Sequence, residues 1–103
     1  MIAKIDKPIL QITLAESEIL AELLDRFLPG VKVWAYGSRI SNEFRKNSDL
    51  DLVVFANKDL RQSVFSLHEA LEESNLGFKV DLHVWDELPL EFQKSITANY
   101  LQI

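Results

Sequence analysis

The chain has 103 residues and suits a single domain with one modest core. It has no cysteine, which excludes a disulfide framework and a thiolate metal site. The net charge of −5 argues against a module that grips a nucleic-acid backbone, although it leaves small nucleotides open.

The opening "MIAKIDKPIL" lacks the unbroken apolar core of a signal peptide, and no run reaches the length of a membrane span. A soluble cytoplasmic protein is expected. Scattered apolar residues here (Ile5, Ile9, Leu10, Ile12) fit a short leading strand, a helix turn or a contact arm. Thr13 followed by Glu16 has the form of a capping box. The stripe Leu20, Leu23, Leu24, Phe27 and Leu28 then predicts a helix, closed by Pro29-Gly30. Residues 31–36 read as a strand, apolar on both faces apart from Lys32. Gly37-Ser38 breaks it, and a short polar helix or loop over 38–48 leads to a strand over 49–56. A second amphipathic helix over 59–74 carries Leu60, Val64, Leu67 and Leu71. After a turn at 75–77 a third strand spans 78–85. The last helix starts near Pro89 and carries Phe92, Ile96 and Tyr100. The expected fold is α/β (α+β), a small mixed sheet of about three strands with helices packed on one face. The shortness of the link between the first two strands leaves their relative direction open.

Strand alternation organises the acids. Asp49, Asp51, Val53 and Phe55 share one face of the second strand; Asp81, His83 and Trp85 share a face of the third, with Lys79. If the two strands are neighbours in register, Asp49, Asp51 and Asp81 converge. Two carboxylates about 7 Å apart repel by roughly 2 kcal/mol at an effective dielectric near 20. A bound divalent cation removes that cost, and all-oxygen ligands favour Mg²⁺ or Mn²⁺. Asp49 alone, after Ser48, reads as a solvated residue at a strand's start; Asp51, inside an apolar run, does not.

Gly37 ends a buried strand and Ser38 follows it, so backbone and a hydroxyl can approach a phosphate. A basic cluster of Arg39, Arg45 and Lys46 lies between this turn and the acids. A phosphate cradle and a hard-metal site together point to nucleotidyl or phosphoryl transfer. His68 reads as a packing residue on its helix and His83 as a substrate contact or surface residue. Trp34 and Tyr36 read as core; Trp85 and Tyr100 suit core or partner surface alike.

"GSRISNEFRKNSDLDL" resembles the G-S-x10-D-x-D signature of the DNA polymerase β-like nucleotidyltransferase superfamily, and "KVDLHVW" its third acidic strand. At this length the chain is most similar to the minimal nucleotidyltransferases, often antitoxins paired with HEPN-domain toxins. The resemblance implies one minimal nucleotidyltransferase domain over 1–103. It implies a Mg²⁺-dependent protein adenylyltransferase with ATP as donor and a tyrosine of a HEPN toxin as acceptor. Gly37, Ser38 and Arg39 would contact the nucleotide; Asp49, Asp51 and Asp81 would be catalytic and hold the metal. The alternative is a non-catalytic antitoxin that occludes its partner. Transfer to a small molecule of the aminoglycoside type stands behind both, because little chain remains to build its pocket.

Overall fold

The computed structural model describes residues 9–41 and 45–103. Ile5 and residues 42–44 of the polar link therefore lie outside the described residues. Helix α1, Leu14–Phe27, starts on the expected capping box. The Glu16 amide donates to Thr13 Oγ1 at 3.1 Å, and the Thr13 amide donates to Glu16 Oε1 at 2.9 Å. Glu16 also accepts from the Gly77 amide at 3.3 Å, tying the start of α1 to the turn before the third strand. These amide donors, Thr13's first, hold the Glu16 carboxyl below its ordinary value.

Strand β1 is Val33–Tyr36, β2 is Leu50–Val54, β3 is Val80–Val84 and β4 is Tyr100–Gln102. They form one sheet in the order β3-β2-β1-β4. β1 runs antiparallel to both β2 and β4, and β2 runs parallel to β3. The parallel pair needs a crossover, and helix α2, Arg61–Glu73, supplies it. Helix α3, Leu90–Ala98, joins β3 to β4.

The two faces divide as the alternation predicts. One carries Val33, Ala35, Leu50, Leu52, Val54 and Val80, packed with Leu20 and Leu23 of α1 and Leu67 and Leu71 of α2. Leu50, Leu52, Val54 and Leu67 are fully buried there. The other face carries Trp34, Tyr36 and Val53, where Ile96 of α3 closes a smaller cluster with Phe55, Trp85, Leu88 and Tyr100. Trp34 stacks on Tyr100 at 3.7 Å between ring centroids, and Phe55 stacks on Trp85 at 4.8 Å. The Lys32 ammonium lies 4.3 Å from the Phe55 ring centre. Trp85 and Tyr100 are thus half-buried members of an aromatic cluster.

Two features go beyond the sequence reading. The sheet has a fourth strand, and α3 lies against the face opposite α1 and α2. Tyr100 belongs to β4, not to the last helix. Asn99 turns extended at φ −159°, and Tyr100 pairs with Tyr36 while its ring stacks on Trp34. An aromatic residue gains more from that pleated, half-buried surface than from one further helical position.

Candidate active site

The strand register builds the site. Asp51 of β2 and Asp81 of β3 are direct partners, and Tyr36 of β1 is the partner of Asp51 on the other side. A row Tyr100–Tyr36–Asp51–Asp81 therefore crosses the whole sheet. Adjacent strands put two carboxylates in neighbouring positions, and Asp49 lies exposed just before β2. The consequence is electrostatic. Burial first, then the fields of Asp81 and Asp49, push the Asp51 carboxyl from 3.8 up to about 6, against an opposing pull from His83. Burial and the same two acids of the row, Asp51 and Asp81, push the Tyr36 phenol well above its usual range. His83 Nε2 stands 3.5 Å from Asp81 Oδ2.

Gly37 presses on this row. Its backbone takes φ +83° and ψ −158°, a conformation open to glycine and strained for any other residue. A β-carbon there would lie 2.3 Å from Asp51 Oδ2. The glycine thus serves the approach of the Asp51 carboxylate as well as any ligand. Ser38 opens a three-residue 3₁₀ turn, Ser38–Ile40, and its carbonyl accepts from the Ser41 amide and hydroxyl at 3.1 and 3.0 Å.

An open cleft of about 460 Å³ joins these parts. Gly37, Ser38 and Ser41 line it from the turn, Asp51, Asp81 and His83 from the sheet, and Phe92 and Ser95 of α3 with Asn99 just past its end from the other side. Its size falls within the usual range for ligand sites. A second groove of about 400 Å³, between α2 and the outer edge of β3, is floored by Val64, Leu82 and Val84 and contains neither Asp51 nor Asp81. The chemistry therefore belongs to the first cleft.

The cleft brings together Gly37, Ser38, Asp51 and Asp81, with Asp49 close enough to act on Asp51. It does not include Arg39, and the reading of that residue as a phosphate contact is corrected. Arg39 is 3% exposed. Its Nε donates to the Ser48 carbonyl at 2.7 Å, and its terminal nitrogens donate to the Gln11 carbonyl at 2.7 Å and the Lys46 carbonyl at 2.9 Å. The guanidinium also lies 4.0 Å from the centre of the Phe78 ring. A planar fork spent on main-chain carbonyls orders the link between β1 and β2 and does not face the cleft. His68 is half-exposed beside Glu72, 3.5 Å away, and lines the second groove.

The donor set suits a hard divalent cation: two neighbouring carboxylates, one of them hard to ionise unless a positive charge is near. Among the described residues no three His, Asp or Glu side chains close into a cage. Two carboxylates plus substrate phosphate oxygens are a usual Mg²⁺ set, so the residues fit that ion. Sequence reasoning missed the α3 wall. The sequence puts Phe92 on the last helix with Ile96 and Tyr100 and singles out neither Ser95 nor Asn99. Their one signal is that positions 92, 95 and 99 keep helical spacing in the sequence.

Paired acids on adjacent strands, a glycine turn against them and an open cleft define a nucleotidyl-transferring enzyme. The chain belongs to the nucleotidyltransferase domain family, whose model matches residues 16–103. It is 35% identical over 95 residues to the probable protein adenylyltransferase MntA of Haemophilus influenzae (strain ATCC 51907 / DSM 11121 / KW20 / Rd), covering 91% of this chain and 83% of that one. Its fold is similar to a solved structure described as a toxin-antitoxin with AMP-PNP, at a TM-score of 0.59 and 21% identity, covering 86% of this chain and 72% of that one. The resemblance seen in the G-S-x10-D-x-D stretch is thus the family itself. Among the described residues no helix is long and apolar enough to cross a membrane.

Proposed function

We propose that the protein is a cytoplasmic antitoxin that transfers AMP from ATP to a tyrosine hydroxyl of a HEPN-domain toxin. The observation that carries this reading is the in-register pair Asp51 and Asp81 beside Gly37, at the floor of an open cleft. The acceptor oxygen bonds to the α-phosphorus as the α–β bridging P–O bond breaks and pyrophosphate leaves. The hydroxyl proton passes to Asp81. When bound, Mg²⁺ supplies charge neutralisation for the triphosphate and the leaving group. Asp49, Asp51 and Asp81 would hold it. Gly37 and Ser38 offer backbone and hydroxyl to the phosphates. The openness of the cleft suits an acceptor delivered on another protein better than a small acceptor needing an enclosing pocket. The likeness to a probable protein adenylyltransferase supports a protein acceptor.

A second reading is neutralisation by occlusion alone, with the acids of the cleft idle. One experiment separates the two. The protein is mixed with a HEPN-domain toxin, ATP and Mg²⁺, and the partner is weighed by intact-mass spectrometry. Adenylyl adducts on a tyrosine, lost in the Asp49→Asn, Asp51→Asn double variant that still binds the partner, support the enzyme. An unmodified partner neutralised equally by both proteins establishes occlusion instead.

A further inference from the structure

We infer that the cleft-facing side of α3 is the nucleoside subsite: Phe92 stacks on the base, and Ser95 with Asn99 holds the ribose hydroxyls. This rests on the nucleotidyl-transfer reading of the same cleft.

Phe92 is a large apolar side chain left 39% exposed at the cleft, outside the aromatic cluster that Ile96 closes. Its ring contacts among the described residues are with Tyr36 at 6.0 Å and 88° and with His83 at 6.3 Å and 74°, neither of them a stacked pair. A ring held upright by its neighbours yet open to water is a platform for a planar group.

Ser95 follows on the same helical face, Asn99 is the extended residue that ends the helix, and both are exposed to the cleft. Their side chains make no hydrogen bond among the described residues, so their donors and acceptors are available. Both are uncharged, which suits hydroxyls rather than phosphate.

Topology fixes the direction. Tyr36 pairs with Tyr100 in antiparallel strands, so Asn99 stands beside Gly37 at the phosphate end. From there the wall runs back through the end of α3 to Phe92, on the order of 10 Å at the helical rise per residue. That is a length of the order of a nucleoside. A triphosphate anchored at Gly37 would therefore lay its ribose along Ser95 and Asn99 and its base against Phe92. Stacking is tolerant of base identity, so the subsite separates nucleotides from bare polyphosphate more strongly than one purine from another.

The test is calorimetry on the full chain with Mg²⁺, titrating ATP, GTP and inorganic tripolyphosphate, with a thermal melt of each variant as folding control. Phe92→Ala weakens ATP and GTP alike, by about fivefold or more, fivefold being the low end of what base–aromatic stacking contributes. It leaves tripolyphosphate within about twofold of wild type on the same reasoning, and Phe92→Trp restores ATP binding. Ser95→Ala with Asn99→Ala weakens ATP severalfold but not 2′,3′-dideoxy-ATP. If folded Phe92→Ala binds ATP as wild type does while losing transfer to the partner protein, the face holds the acceptor and the inference is overturned. Equal losses for ATP and tripolyphosphate also overturn it. If wild type binds neither ATP nor tripolyphosphate, the nucleotidyl-transfer reading fails and this inference with it.

Discussion

Replacing Gly37 by alanine tests whether backbone geometry or ligand access explains the glycine. Two costs combine at this position. The first is conformational: φ +83° with ψ −158° lies in a region held almost only by glycine, and a side chain there costs of order 1–3 kcal/mol. The second is steric. The new β-carbon would sit 2.3 Å from Asp51 Oδ2, so either the turn or the carboxylate must move by about an ångström to regain van der Waals contact. Asp51 is anchored in a central strand, so the displacement falls on the row it shares with Asp81. Gly30 supplies the control, because it also has positive φ, +75°, but nothing within 4 Å of its β-carbon position. Gly30→Ala should therefore show the backbone cost alone, about 1 kcal/mol. Gly37→Ala should lose at least about 2 kcal/mol, which for a domain of this size lowers the melting temperature by roughly 8–16 °C. Urea unfolding of both variants gives the difference, and adding Asp51→Ala to Gly37→Ala should recover the steric part. If Gly37→Ala is no less stable than Gly30→Ala, or if Asp51→Ala recovers nothing, the packing of this turn against the acid row is wrong.

Other outcomes follow from the same contacts. Because the folded state holds the Asp51 proton up to about pH 6 and the unfolded state releases it near 3.8, the group's contribution to stability falls as pH rises through that window. The loss is about 2 kcal/mol after allowing for solvent screening, and levels off above it. Asp51→Asn should flatten this part of the pH–stability curve and raise apo stability at pH 7; an unchanged curve would show that burial and the neighbouring acids do not raise the Asp51 carboxyl. In the wild type, saturating Mg²⁺ should shift the same transition to lower pH, read by thermal melts with and without EDTA. Arg39→Ala strips three part-buried carbonyls of their donor and should cost about 2–3 kcal/mol in urea unfolding. Arg39→Lys should restore little, since an ammonium cannot reproduce the fork; a folded Arg39→Ala variant whose only defect is ATP affinity would reinstate the phosphate contact. Thr13→Ala should cost about 1 kcal/mol by urea unfolding, through loss of the capping box, and leave nucleotide binding unchanged.

The parts legible in the sequence were those encoded by short-range pattern. The Thr13–Glu16 box gave the start of α1, and period-two alternation placed Asp51 and Asp81 on one face before their pairing was known. What escaped depends on distant chain segments. Arg39 stands next to a glycine turn in sequence and so resembles a phosphate contact. Only the fold brings the Gln11 carbonyl, 28 positions away, to its guanidinium. Tyr100 follows Ile96 by four residues, which suits a helix as well as the strand it forms against β1. The α3 wall was hidden by the same ambiguity: Phe92 keeps helical spacing with Ile96, yet Ile96 is buried and Phe92 lines the cleft.

The most direct measurement of the central claim uses ATP labelled at the α- or the γ-phosphate. Each is incubated with Mg²⁺, the proposed HEPN-domain partner and either wild type or Asp51→Asn. Transfer of the α label to the partner with release of pyrophosphate, no transfer of the γ label, and no transfer at all by Asp51→Asn is the result predicted by a nucleotidyltransferase centred on Asp51 and Asp81. Transfer of the γ label, or α transfer undiminished in Asp51→Asn, would contradict it.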